Sequence, residues 1–129
     1  MLPLDNNIYI FRFFTSVMDL QKDTISDILY LATVERASKV IFEFGNPPRF
    51  ETDGRIHNTK LDVLLEHDVE TVLRFCLRKD EIARFHKDGA YEKTIFDFGA
   101  SPKPFSFKVR AYLDPLDSLP ALDLLISYK

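Results

Sequence analysis

The residues able to do chemistry in this chain are one cysteine, three histidines, 20 carboxylates and 4 glycines to shape a loop around a ligand. Cys76 has no second cysteine to bridge and lacks the companions of a zinc site, so it reads as an inert core thiol in a reducing compartment. His57, His67 and His86 never fall at the paired spacing of a helical metal site and read as surface histidines. A phosphate-cradling loop needs glycines clustered at a strand-to-helix turn, whereas Gly45, Gly54, Gly89 and Gly99 stand apart. Asp62, Glu66, Asp68 and Glu70 gather at a helix start, where the dipole and free amides favour acids, so capping accounts for them. Asp114, Asp117 and Asp123 lack the glycine and regular spacing of a cation loop and read as a solvated stretch. No nucleophile with a base and no ligand set emerges, so no catalytic, cofactor-binding or metal-binding residue is expected.

Charge patterning points elsewhere. Arg74, Arg78, Lys79, Arg84 and Lys87 alternate with Glu70, Asp80, Glu81 and Asp88, the mark of a solvated mixed-charge face with helical pairs such as Glu70 and Arg74. The 17 basic residues against 20 acidic ones leave a net charge of −3, which gives nucleic acid no general attraction. Lys108 and Arg110 share the polar face of one strand, where two cations cost energy unless an acid faces them, and a cross-strand Glu92 would suffice.

These residues need elements to hold them. Ile8 to Phe14 is β-branched and aromatic on both faces, predicting a strand that is buried or partnered. Ile25, Ile28, Leu29 and Ala32 recur at helical spacing behind Thr24 as N-cap, predicting a helix to about Arg36. Lys39 to Phe44 reads as a strand ended by Gly45-Asn46-Pro47-Pro48, because proline cannot donate to a ladder. Arg49 to Thr52 resumes it, and Asp53-Gly54 is a two-residue hairpin turn before Arg55-Ile56-His57.

Asp68 and Asp80 are expected to cap two short helices, the first with Val69, Val72, Leu73 and Cys76 inward and ending near Leu77, the second closed by Gly89. Tyr91 to Phe98 and Phe105 to Leu113 predict a hairpin around "GASPKP". In its second strand Phe105, Phe107, Val109 and Ala111 alternate with polar residues, so one face is buried and one solvated. A last strand follows Pro120. The order predicts an α+β domain: a mixed, mainly antiparallel sheet with helices packed on one face.

With 129 residues, 46% apolar and 29% charged, the chain suits one globular domain at 21–129 behind a hydrophobic extension at 1–20. Arg12 interrupts "IYIFRFFTSVM", whose apolar run falls far short of the ~20 residues that span a bilayer. A cytoplasmic location is the expectation.

Several of these pieces, in order, resemble the N-terminal domain of the PilT-like type IV pilus retraction ATPases, within the secretion ATPase superfamily. "ASKVIFEFGNPPRFETDGRI" is similar to the family's Ala-Ser-Asp-Leu-His-Leu run, its glycine and Pro-Pro pair, and its Arg-x-Asp-Gly turn. "LLEHDVETVLRFCL", "RKDEIARFHKDG" and "EKTIFDF" resemble the two helices and next strand, and "FSFKVRAY" the Phe-Arg-Val-Asn-Ala-Phe strand. The likeness runs from about Thr24 to Ser127 and implies a PAS-like α/β module that precedes a RecA-like motor. Lys39 and Ile41 replace the family's Asp and His, and Glu51 replaces the Arg before Asp-Gly. Lys108 takes the place of the strand's arginine, while "LLISYK" lacks the arginine of the last strand. No Walker motif is present.

The resemblance therefore implies a non-catalytic interaction or regulatory module, without cofactor, that binds a pilus or secretion motor, a related component of twitching motility, or itself. The candidate interaction residues are Ile8, Ile10, Phe11 and Phe13 on the extension and Lys39, Glu51, Lys108 and Arg110 on the sheet. The alternative is a PAS-like sensory module whose aromatic core holds a small ligand.

Overall fold

The computed structural model describes residues 22–96 and 105–128. The expected N-terminal strand and the "GASPKP" loop lie outside the described residues. Helix α1 (Lys22–Val34) buries Ile25, Ile28, Leu29 and Ala32. It starts before the expected cap, so Thr24 sits in the first turn, buried, and its hydroxyl meets no partner among the described residues. The helix closes in a Schellman pattern: Arg36 adopts φ +59°, its N–H bonds the Thr33 carbonyl at 3.1 Å, and the Ala37 N–H bonds the Ala32 carbonyl at 2.9 Å. The Arg36 guanidinium lies 4.2 Å from the centre of the Tyr128 ring, which steadies a left-handed residue that is not glycine.

Strands β1 (Lys39–Glu43), β2 (Arg49–Thr52) and β3 (Arg55–Asn58) form the expected meander. Its first corner is stitched to the chain that follows β3, with Gly45 N–H on the Leu64 carbonyl at 2.9 Å and Leu64 N–H on the Asn46 carbonyl at 2.8 Å. Thr59 holds the Pro48 carbonyl through both its N–H and its hydroxyl. Asp53 and Gly54 take φ +54° and +79°, the positive pair that a tight two-residue hairpin requires.

Helices α2 (Glu66–Cys76) and α3 (Lys79–Asp88) follow, then β4 (Ala90–Phe96), β5 (Phe105–Leu113) and β6 (Pro120–Tyr128). The N-caps differ from expectation. They are Leu65 and Arg78, and the acid acts from the third helical position: Asp68 accepts the Leu65 N–H at 2.8 Å and Glu81 accepts the Arg78 N–H at 2.8 Å. Asp80 pairs instead with the Arg78 side chain at 3.3 Å. Gly89 closes α3 at φ +79°, as expected of a C-terminal glycine.

The strands form one six-stranded sheet in the order β3-β2-β1-β6-β5-β4. Every neighbouring pair is antiparallel, and a parallel contact occurs at the isolated bridge Phe44–Leu64. The helices pack on one face, against Val40, Phe42, Phe50, Val109, Leu122 and Leu124. Phe42, Phe50 and Phe85 are fully buried there, so three of the phenylalanines fill core volume. Cys76 is buried beside them, and burial pushes its thiol up to about 12. The inert-core reading of that residue holds.

Candidate interaction face

Antiparallel partners share a face, so the registers fix which side chains stand on the sheet away from the helices. One row across that open face runs Asn58, Arg49, Ile41, Asp123, Arg110, Glu92, and the next runs Ile56, Glu51, Lys39, Leu125, Lys108, Thr94. All four sheet residues picked from sequence, Lys39, Glu51, Lys108 and Arg110, therefore occupy this one face. The other four candidates, Ile8, Ile10, Phe11 and Phe13, lie outside the described residues.

The face is held by short-range charge pairing. Lys39 Nζ lies 3.4 Å from its register partner Glu51. Glu92 receives both Lys108 Nζ at 3.5 Å and Arg110 Nε at 3.3 Å, the cross-strand role expected of it. Arg49 donates to Glu43 on β1, which also accepts from Asn46 Nδ2 at 3.1 Å. On this face Ile41 keeps only 6% of its surface exposed and Ala121 none, although none of the described helices packs there.

The three acids read as one solvated stretch separate in the structure. Asp117 caps a turn by accepting the Leu119 N–H at 2.9 Å. Asp114 accepts the Leu116 N–H at 2.8 Å and shares a hydrogen bond with Glu43, which holds the Asp114 carboxyl low and, with burial, raises that of Glu43. Asp123 stands mid-sheet, where burial raises its carboxyl against the pull of Lys39 and the Tyr112 hydroxyl, which donates at 3.1 Å. Burial and the nearby Asp123 charge raise the Tyr112 phenol in turn. Turn hydrogen bonds scatter the cluster, so sequence proximity alone misreads it.

On the opposite face, sequence reasoning missed Glu81. This carboxylate is 6% exposed, and it accepts the Arg78 N–H, Lys93 Nζ at 2.9 Å and the Tyr91 hydroxyl at 3.3 Å. Burial opposes its charge, but the Arg78 amide and Lys93 outweigh burial and hold its carboxyl below the ordinary range. Lys93 arrives from β4 through tertiary packing, and only the position of Glu81 three residues after Arg78 hinted at a capping role. His57, His67 and His86 are exposed, as expected. Among the described residues no group of histidines, cysteines and carboxylates is placed to hold a metal ion.

No family model matches the chain, and no curated protein matches it. Solved structures do. The Legionella pneumophila ATPase DotB superposes with a TM-score of 0.72 at 12% identity over 84% of this chain and 30% of that one. The chain has the fold of one part of a motor ATPase. The pilus retraction motor PilT with bound ADP gives a TM-score of 0.68 at 17% identity, over 83% of this chain and 29% of its own. The Yersinia pseudotuberculosis ATPase DotB gives 0.62 at 13% identity, over 81% and 29%. The chain thus spans about 30% of the length of these ATPases, and the resemblance to the N-terminal domain of PilT-like ATPases holds at the level of the fold. Among the described residues no helix is long and apolar enough to cross a membrane.

Proposed function

We propose that this chain is a non-catalytic protein-interaction module, related to the N-terminal domain of pilus and secretion motor ATPases, whose open sheet face docks a motor subunit in the cytoplasm. One observation carries the reading: Lys39, Glu51, Lys108 and Arg110, chosen from sequence at or beside the positions where it departs from or keeps the family pattern, share that face. Their pairing in Lys39–Glu51 and Lys108–Glu92–Arg110 presents interleaved charges of both signs, which favours selective recognition over general attraction. Ile8, Ile10, Phe11 and Phe13 supply a second contact as an added strand.

The test is titration of the full chain with a PilT-type motor ATPase by calorimetry. Lys39→Ala combined with Arg110→Ala is expected to weaken binding about tenfold or more, because rim charges set partner choice. Ile10→Asp combined with Phe13→Asp should weaken it independently. Binding that neither pair alters would overturn the assignment of the interface.

A further inference from the structure

Among the described strands the sheet has two edges, β3 and β4, and they are not equivalent. Strand β3 is four residues long, and Arg55 and His57 are exposed on it, which are the usual means of blunting an edge. Strand β4 is seven residues long. It carries two charged residues, and both are turned to partners within the chain: Lys93 to the buried Glu81 at 2.9 Å, and Glu92 to Lys108 and Arg110. What is left along it is Ala90, Tyr91, Thr94 and Ile95, with an outer line of backbone groups that no other described strand pairs. An edge whose charges are already paired within its own chain is a template for another strand.

A second copy of β4 fits that template, because one of its registers sets each charged side chain opposite an uncharged one. A two-fold axis perpendicular to the sheet keeps each face in register with itself. Centred on Glu92 it opposes two carboxylates, and centred on Lys93 two ammonium groups, both unfavourable. Centred on Thr94 it places Lys93 opposite Ile95 and Glu92 opposite Phe96, with no like charges facing across a ladder running from Glu92 to Phe96. Centres nearer either end of the strand give shorter ladders. We propose that two copies of this chain join edge to edge through β4, antiparallel about Thr94, and so extend the six-stranded sheet across the pair. The proposal rests on the reading of the chain as an interaction module and names one of its partners as itself.

Thr94 is exposed and in register with Lys108, so Thr94→Glu gains a favourable neighbour within its own chain while opposing two carboxylates in the pair. Sedimentation equilibrium of the full chain up to roughly 0.5 mM, a range suited to a short ladder, is expected to show the mass rising from 15.0 kDa toward twice that value. Thr94→Glu should stay at monomer mass with an unchanged circular dichroism spectrum. An equimolar mixture of Thr94→Glu and Thr94→Lys should recover the doubled mass. In the unmodified protein, amides of β4 should gain exchange protection as concentration rises, a readout that needs no variant.

A monomer throughout the range, or a dimer that Thr94→Glu leaves intact, overturns the proposal. So does a dimer abolished by Phe11→Asp with Phe13→Asp but not by Thr94→Glu, which would assign the contact to the N-terminal segment. Motor titration of the unmodified chain at concentrations where it is monomeric keeps the two readings separate, because motor binding by that monomer leaves the open-face function standing whatever becomes of the dimer.

Discussion

Glu81 and Asp123 are carboxylates drawn out of water on opposite faces of one sheet, and they answer burial in opposite ways. Glu81 lies deeper, yet an amide, an ammonium and a phenol converge on it, and its carboxyl is held low. Asp123 is only half-buried, but it receives one phenol while its cations stand off, and its carboxyl is raised. The number and closeness of donors, rather than depth, decides which way a carboxyl drawn out of water is shifted. The helix-covered face uses that charge to fix structure, joining α3 to β4. The open face spreads its charge among exchangeable surface pairs, as suits a surface that meets a partner.

The comparison breaks most visibly at Glu81. Glu81→Ala leaves the Arg78 amide and the half-buried Lys93 without their acceptor, and a loss of about 2–4 kcal/mol is expected in urea unfolding. Glu81→Gln keeps an acceptor for the cap and should lose less. Tyr112→Phe, removing the phenol that Asp123 accepts, is expected to cost about 1 kcal/mol by the same measurement. Asp123→Asn at neutral pH should change stability by less than about 1 kcal/mol, because burial already works against the carboxylate's charge there. Smallest is Glu92→Gln: Glu92 and its two cations are each about half exposed, so about 0–1 kcal/mol is expected, with any loss vanishing in high salt.

Acidity sharpens the same contrast. Glu81 has a folded pKa below its unfolded value, so its contribution is complete above the unfolded value and is lost as pH falls through the lowered folded one. Asp123 and Glu43 have folded values above their unfolded ones, so theirs is complete below the unfolded value and is lost as pH rises through the raised folded ones. Chemical denaturation from acid to neutral pH should therefore show Glu81→Gln losing the acid-side drop of the unmodified protein. Asp123→Asn should instead lose the decline on the other side. The same dependence in both variants would mean that the two sites do not differ as described.

Much of this was legible beforehand. The hydrophobic spacing of Ile25 to Ala32 and of Val69 to Cys76, the alternation in β5, and the turns at Pro47-Pro48, Asp53-Gly54 and Gly89 carry enough local signal to set the elements and their class. Glu92 as the partner of Lys108 and Arg110 could also be read, because neighbouring strands of a hairpin have few registers. The caps could not. An acid near a helix start serves equally as N-cap or from the third position, and only backbone geometry separates Asp68 and Glu81 from Asp80. The union of Lys39 and Glu51 with Lys108 and Arg110 on one face also escaped the sequence, since it depends on β6 inserting between β1 and β5. Long-range strand order leaves no local trace in composition or periodicity.

That insertion governs how the molecule comes to exist. The β1-β2-β3 meander and the β4-β5 hairpin are each local in sequence, but β6 is the strand that joins them, and it is the last of them to leave the ribosome. Until it arrives, the nascent chain holds two half-sheets with Val40 and Val109 lacking the Leu124 that lies between them. Closing the sheet needs pairing across most of the chain, which is slow. Until β6 is in place the sheet keeps two inner edges open, so the strand that completes the core also closes the edges most able to pair with other chains.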